Sequence, residues 1–349
     1  MIGFAGKFFN LKRNFLGIVS LSYILFIFLI SVFAYVISPD NSENANNMNL
    51  SIHSKKPGFS VTMLVENINS KADNNLWSYL MGNKDPLSET PISEFKISEN
   101  YIFYIPYNSV DKEFKKIELE KVSIRNKKYF FGTDKFGRDV LSRVIVGSRI
   151  SFSIGFISVL ISLIIGVTLG SISGYYSGNI DKIIMWLINV MWSIPTLLLV
   201  IAITLALGKG FWQVFIAVGL TMWVDVARIV RGQIKQYKER QFIIAAKVLG
   251  FNDFKIITSH ILPNIYSPLI VISAANFAAS ILIESGLSFL GLGAQPPMTS
   301  WGLMIKDHYN YIILGEPFLA IIPGLCIMSL VCGFMLLGNS LREVLDVKA

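Results

Sequence analysis

Charge is scarce in this sequence: of 349 residues only 15% are Asp, Glu, Lys or Arg, against 53% hydrophobic. A chain so poor in charge, with a mean hydropathy of +0.55, is not a water-soluble globular domain, and an integral membrane protein is expected. Cysteine is nearly absent. Cys326 and Cys332 both lie inside one apolar segment; at that spacing on a helix they point to different faces, cannot bridge, and read as small buried hydrophobes. No GxxxxGK[ST] phosphate loop occurs, since Gly6-Lys7 and Gly208-Lys209-Gly210 lack the glycine spacing and the following Ser or Thr. The chain therefore carries no motor of its own. HExxH and CxxC are missing too, and His53, His260 and His308 fall on different sides of the expected membrane, so no metal site is expected within one subunit. No nucleophile and base converge as an enzyme requires. Neither an internal repeat nor a chain of midplane carboxylates marks a self-sufficient secondary transporter. The net charge of +8 comes without a basic run interleaved with aromatics, so nucleic acid is not an expected partner.

What the sequence does have is long apolar runs. Lys7, Lys12 and Arg13 precede a run from Phe15 to Ile37, close to the ~20 residues that cross a bilayer. The run exceeds a signal-peptide core and no small-x-small site closes it, so it reads as an uncleaved anchor with its N-terminus inside. Further spans are expected at Ile150 to Ser173, Ile183 to Leu207, Phe211 to Val230, Ser267 to Leu290 and Pro317 to Leu337. Counting from an inside N-terminus puts Arg231 to Tyr266 in the cytoplasm. That loop gathers Arg231, Lys235, Lys238, Arg240, Lys247 and Lys255, while the two short outer loops offer only Lys209 and Lys306, as the positive-inside rule requires.

Between the first two spans, Ser38 to Phe131 is polar and rich in Asn, Ser and Lys, with alternating patches at Tyr101 to Tyr104 and Ile117 to Ile124 that suit short strands. Its modest apolar content fits either a small folded cap or a partly disordered loop. FGTDKFGRDVLSRVIVGSR follows. Gly132 and Gly137 allow a tight turn, Asp139 caps, and Val140, Leu141, Val144 and Ile145 form a stripe opposite Arg138, Ser142 and Arg143. An amphipathic helix on the membrane surface is expected, with Asp134, Arg138 and Asp139 as turn, cap and surface ion pair.

The cytoplasmic stretch Gln241 to Asn264, QFIIAAKVLGFNDFKIITSHILPN, is too short and polar to span. Phe242, Ala245, Ala246 and Leu249 at i, i+3, i+4 and i+7 give one shallow apolar helical face, which Gly250 ends. Asn252 and Asp253 suit the cap of a second short helix carrying Phe254, Ile257 and Ile261 until Pro263 stops it. Two capped helices hung between spans read as a docking knob. Polar residues inside spans are costly and face protein or a water-filled path. Asn189, Ser193 and Thr196 recur along one side of the third span, where Pro195 is expected to kink it, and Asn276, Ser280 and Glu284 stand at i, i+4 and i+8 of the fifth. Glu284 suits either a cationic group in transit or a buried structural partner. Asp225 and Arg228 suit an i, i+3 pair, and Gly291 to Gly302 reads as an outer loop that re-enters or lies at the interface.

From Phe131 onward the sequence resembles the dipeptide and oligopeptide branch of bacterial ABC-importer permeases, in its second, DppC/OppC-like subunit. GTDKFGRDVLSRVIVGSRIS, AAKVLG followed by HILPN, and ESGLSFLGLGAQPPMTSWG occur in the family's order. The resemblance implies an all-α polytopic membrane protein of the bacterial cytoplasmic (inner) membrane, with six transmembrane helices of the type I ABC importer kind; the polar stretch ahead of it reads as an extracytoplasmic insert after the first helix. Residues 1–37 would hold the cytoplasmic N-terminus and first helix, 38–131 the insert, 132–149 the interfacial helix and 150–349 a five-helix core with coupling loop 231–266. It implies ATPase coupling through Ala245, Ala246, Gly250, His260, Leu262 and Pro263; the polar residues Asn189, Ser193, Asn276 and Glu284 are the candidates to line the pathway on the cost of polar groups in lipid. Implied partners are a sister permease subunit, two ATP-binding subunits that carry ATP and Mg, an extracytoplasmic solute-binding protein and membrane lipid, with no cofactor on this chain. The substrates implied are peptides, with nickel chelates or another small solute as the alternative. One residue departs from the family pattern: Ile244 stands where Glu usually precedes the two alanines.

Overall fold

The computed structural model of the chain describes residues 14–66, 81–83, 88–109, 113–208 and 210–346. Lys7, Lys12, Arg13 and Lys209, which entered the orientation argument, lie outside these described residues. The chain divides into two compact units. One comprises the chain up to Phe26, Ser151–Gln295 and the chain from Ile327 onward; the other comprises Ile27–Ile150 and Pro296–Cys326.

Long helices follow from the apolar runs, because a backbone in lipid must satisfy its own hydrogen bonds. Among the described residues, the helices of eight residues or more, the short α6 and α8 included, are α1 (Phe15–Val32), α2 (Val140–Tyr176), α3 (Gly178–Trp192), α4 (Thr196–Leu207), α5 (Phe211–Lys238), α6 (Gln241–Val248), α7 (Tyr266–Phe289), α8 (Trp301–His308) and α9 (Phe318–Asp346). Five of these, α1, α2, α5, α7 and α9, are long and apolar enough to cross a membrane. The expected span Ile183 to Leu207 is not one helix: α3 and α4 meet at 93°, the shape of a broken span or of a re-entrant loop. The Ser193 hydroxyl bonds back to the Val190 carbonyl at 2.7 Å, and Pro195, with no N–H to extend the ladder, stands at the start of α4. Pro195 thus breaks the helix rather than kinking it.

Within the first unit, α2 and α5 pack closely. A Cβ on Gly166, Gly170 or Gly174 would fall 2.5 Å from the Val226 Cβ, 2.6 Å from the Ala227 carbonyl and 2.9 Å from the Arg231 carbonyl respectively. Glycine every fourth residue lets one backbone approach the other, the usual device where hydrophobicity alone cannot drive helices together. The expected Asp225–Arg228 pair is replaced by a stack, with the Arg228 guanidinium 3.7 Å from the Trp192 ring centroid. Neither cysteine is in a disulfide, as expected, but Cys326 is half-buried and Cys332 exposed rather than buried; an apolar side chain bound for lipid needs no cover within its own subunit.

The second unit overturns the all-α expectation. Its insert folds as a five-stranded antiparallel sheet in the order β4-β3-β2-β1-β5, with β1 (Phe59–Glu66), β2 (Glu89–Ser98), β3 (Tyr101–Pro106), β4 (Lys115–Glu118) and β5 (Val122–Tyr129). Of the two readings open for this region, the folded cap holds for its described residues. Alternation places Val61, Met63 and Val65 of β1 with Tyr129 and Ile52 on one face, and Leu64 with Ile92, Ile102 and Val122 on the other. Tyr101 to Tyr104 lies in β3, as the pattern suggested. The patch Ile117 to Ile124 is not one strand, because a 3-10 turn at Leu119–Lys121 divides it between β4 and β5, the two opposite edges of the sheet.

The segment 132–149 is also corrected. It forms no separate interfacial helix, since Gly132 and Gly137 turn the chain at φ 76° and 72° and α2 then runs unbroken for 37 residues. The face expected to meet water is enclosed: Arg138, Ser142 and Arg143 are all buried. Asp134 is fully buried; it accepts the backbone N–H groups of Phe136 and Arg138 at 2.8 and 3.0 Å and the Arg138 Nε at 2.7 Å. The ion pair exists but is internal, not on the surface. Asp139 caps as expected, accepting the Ser142 N–H at 2.9 Å and the Ser142 hydroxyl. Burial raises the Asp139 carboxyl above its ordinary range, and the Ser142 bonds oppose that rise. The stripe failed as a guide because polar residues can be buried when they pair with each other, or with Asn46 and Asp40.

Candidate coupling site

The stretch Gln241 to Asn264 lies in the first unit as two short helical pieces. Gly250 stands between them at φ 80°, in the left-handed region where L-residues carry strain, so the predicted stop is real. Asn252 caps the second piece, its Oδ1 accepting the Lys255 N–H at 2.8 Å. That piece starts as an α-turn at Asp253–Lys255, widens to a π-turn over Ile256–Ile261 and tightens to a 3-10 turn at Leu262–Asn264. Pro263 therefore sits inside the last turn rather than ending the helix.

The packed face differs from the expected one. Ile243 and Ala246 turn inward with Ile256, Ile257, Ile261 and Ile265, against Tyr175 of α2 and Val226, Val230 and Ile234 of α5. Of the predicted stripe only Ala246 is buried; Phe242, Ala245 and Leu249 are exposed. α6 is apolar on nearly every side, so periodicity did not select a face. The outcome is an apolar ridge in the open: Val248 is 83% exposed, Leu249 76% and Phe254 75%, with Phe242 and Ile244 beside them. Ile244, at the position of the expected Glu, belongs to this ridge. Among the other implied coupling residues, Gly250 and Pro263 are exposed and His260 and Leu262 half-buried, with the His260 ring 5.4 Å from that of Phe251.

Beneath the ridge lies a polar mount not anticipated from the sequence. The Tyr175 hydroxyl donates to Asp253 Oδ1 at 2.6 Å, while Lys238 Nζ donates to the Tyr175 carbonyl at 2.5 Å. Lys247 and Lys238 lie over the Tyr175 ring, 5.0 and 5.4 Å from its centroid. Asp181, in the first turn of α3, accepts Arg231 Nε and Nη2 at 2.6 and 2.8 Å, Lys235 Nζ at 2.6 Å and the Ser173 hydroxyl at 2.5 Å. The usable signal was the lone acid in the short Gly174 to Lys182 loop, facing a loop rich in cations.

The candidate pathway residues divide. Asn189, Ser193 and Thr196 are exposed around the break between α3 and α4. Asn276, Ser280 and Glu284 are buried in α7, where the Ser288 hydroxyl donates to Glu284 Oε1 at 2.7 Å. Ser288 Oγ also receives the Ala294 N–H at 3.2 Å, so the serine ties the carboxylate to the loop after α7. Among the described residues no group of three His, Cys, Asp or Glu side chains is placed to hold a metal.

A family model described as "Binding-protein-dependent transport system inner membrane component" matches residues 166–346. The dipeptide transport system permease protein DppC of Alkalihalophilus pseudofirmus is 41% identical over 220 residues, covering 63% of this chain and 72% of that one. The glutathione transport system permease protein GsiD of Pectobacterium atrosepticum is 41% identical over 220 residues, covering 63% and 73%. The oligopeptide transport system permease protein OppC of Bacillus subtilis is 38% identical over 223 residues, covering 64% and 73%. A solved structure titled as inward facing conformations of the MetNI methionine ABC transporter superposes with a TM-score of 0.49 at 16% identity, covering 60% of this chain and 98% of that one, a likeness too slight to bear on the fold.

Proposed function

Because this chain belongs to the family of binding-protein-dependent transport system inner membrane components, we propose that it forms half of a peptide pathway and is driven by a separate ATPase docked on the ridge around Gly250. The reading rests on one observation: Phe242, Ile244, Val248, Leu249 and Phe254 stand exposed on a scaffold whose inner face is fully packed. An apolar ridge mounted this rigidly, and flanked by Lys247 and Lys255, suits the groove of an acidic-rimmed partner. Ala245, Ala246, Gly250, His260, Leu262 and Pro263 belong to the same knob, with Ala246 acting from beneath. Ile244 supplies apolar contact where relatives of the branch usually have a carboxylate.

The assembly we envisage holds a sister permease, two ATP-binding subunits carrying ATP and Mg, and an extracytoplasmic solute-binding protein, in the inner membrane with both termini of this chain cytoplasmic. The insert 38–131 then lies outside. Asn189 and Ser193 line the pathway beside the break, while Asn276 and Glu284 support it from within α7. Peptides are the substrate class, supported by relatives named for dipeptide, oligopeptide and glutathione transport at nearly equal identity. ATP binding closes the partner subunits and moves the docked knob; the spans tilt, the cavity opens outward, and hydrolysis resets it. Nucleotide shifts this equilibrium only by its differential affinity for the two states.

The test is the pair Val248→Asp and Leu249→Asp, with Ile313→Asp, 90% exposed and in the other unit, as the control. Capture of the co-expressed ATP-binding subunits by the tagged chain should fall at least ~tenfold in the ridge variants, the loss of one hot-spot contact. Radiolabelled dialanine uptake should fall with it, at unchanged membrane content. Full capture and full uptake would refute the docking surface.

A further inference from the structure

We propose that Tyr175 and Asp181 form a clasp that transmits movement of the docked knob to the broken span, so that they are positioning residues for transport rather than docking residues. The inference rests on the docking reading above, and goes beyond it by naming how the stroke reaches the pathway.

The α2–α3 corner is a joint by its backbone. Ser177 and Gly178 have φ 59° and 63°, so two successive residues in the left-handed region turn the chain between the helices. Such a joint is a pivot unless something holds it. It is held on both flanks. On the α2 side, Tyr175 donates its hydroxyl to Asp253 of the knob and accepts Lys238 of α5 on its carbonyl. On the α3 side, Asp181 collects Arg231 in a bidentate pair, Lys235, and Ser173 from across the joint. Arg231, Lys235 and Lys238 all lie in the last two turns of α5, the helix that leads through Arg240 into the knob. Knob, α5 terminus and α2–α3 corner are thus one bonded body.

Two further features make that body a lever. The α2 glycines bring its backbone against α5, so these helices resist separation where the thrust arrives. α3 then runs from Asp181 to Trp192 and ends at the 93° break, where Asn189 and Ser193 are exposed. Displacing the knob moves Asp253, and through Tyr175 and Asp181 carries the held corner and α3 with it. Spatial intermediacy alone does not establish coupling, so the experiment must read coupling itself.

It uses the full complex in proteoliposomes with its solute-binding protein, and measures dialanine or glutathione uptake per ATP hydrolysed. Tyr175→Phe keeps the ring over its lysines and removes only the hydroxyl. Uptake per ATP should fall ~fivefold or more, the low end of typical coupling between sites, with the ATP-binding subunits still captured. Asp253→Ala should match it, Asp253→Asn, which keeps the acceptor, should restore the wild-type ratio, and Tyr175→Phe with Asp253→Ala should be no worse than either alone. Asp181→Asn, which weakens the second grip, should lower the ratio independently. An unchanged ratio in Tyr175→Phe overturns the clasp, as does loss of ATPase capture, which would make Tyr175 a docking residue. Additive losses in the double variant overturn the pair as one link. Failure of the unmodified chain to capture the ATPase would instead remove the docking reading, a separate result.

Discussion

His308 shows how little a residue's chemistry follows from its sequence neighbours. From the sequence it was one of three scattered histidines; in the structure it is buried in α8, its Nδ1 2.8 Å from the Met304 carbonyl. That contact assigns the Nδ1 proton as donor. Burial lowers the imidazole below its ordinary value, with Lys135 acting the same way and Asp134, the Met304 bond and Asp307 opposing. The folded protein therefore holds the ring neutral where the unfolded chain would protonate it. Stability is fully present above the unfolded value of about 6.5, and declines as pH falls below it toward the folded value, by at most about 1.4 kcal/mol per pH unit. Thermal unfolding in detergent from pH 7.5 to 5.5 is expected to show a midpoint that falls with acid, less steeply in His308→Leu. A midpoint with the same slope in both proteins would exclude His308 as the source.

The elements were read with uneven success, for a physical reason each time. Gly250 and the Asn252 cap were legible because helix termination is a local matter of φ and of a side chain reaching three residues along. Which face of α6 packs was not legible, because an almost wholly apolar helix presents no contrast to read. The continuous α2 was likewise obscured by Arg138, Ser142 and Arg143, whose buried partners are supplied by Asp134, Asn46 and Asp40. At Gly250 a side chain would meet nothing within 4 Å, so substitution acts through backbone strain alone, of about 1–2 kcal/mol. Asn tolerates the left-handed region best and a β-branched residue worst. Peptide uptake is accordingly expected to rank Gly250→Asn above Gly250→Ala above Gly250→Val, with all three inserted at wild-type levels. Equal uptake across the series would show that the joint between the two pieces does not matter to transport.

At the scale of the whole molecule, cations that mark the proposed orientation have a second duty in the structure. Arg231 and Lys235 bind Asp181 and Lys238 binds the Tyr175 carbonyl, so charges that the positive-inside rule treats as topological markers also build the mount of the knob. With the proposed orientation, alkaline phosphatase inserted at the β2–β3 turn, between Ser98 and Tyr101, should be active. Green fluorescent protein fused after the C-terminus should fluoresce in the cytoplasm. The reverse pattern would place the knob outside and remove its ATPase.

By itself the sequence determined which apolar runs form long helices, where the short helices between α5 and α7 stop, and which branch of permeases the chain resembles, because run length, backbone φ preference and motif order are properties of adjacent residues. Only the tertiary structure decided which side of α6 is covered, how Ile117 to Ile124 is shared between two sheet edges, that Asp134 and Arg143 are internal, and that Asp181 faces Arg231. Apart from the local bonds of Asp134 to Phe136 and Arg138, those outcomes depend on partners remote along the chain. A charge or an apolar stripe carries no record of the partner that will enclose it.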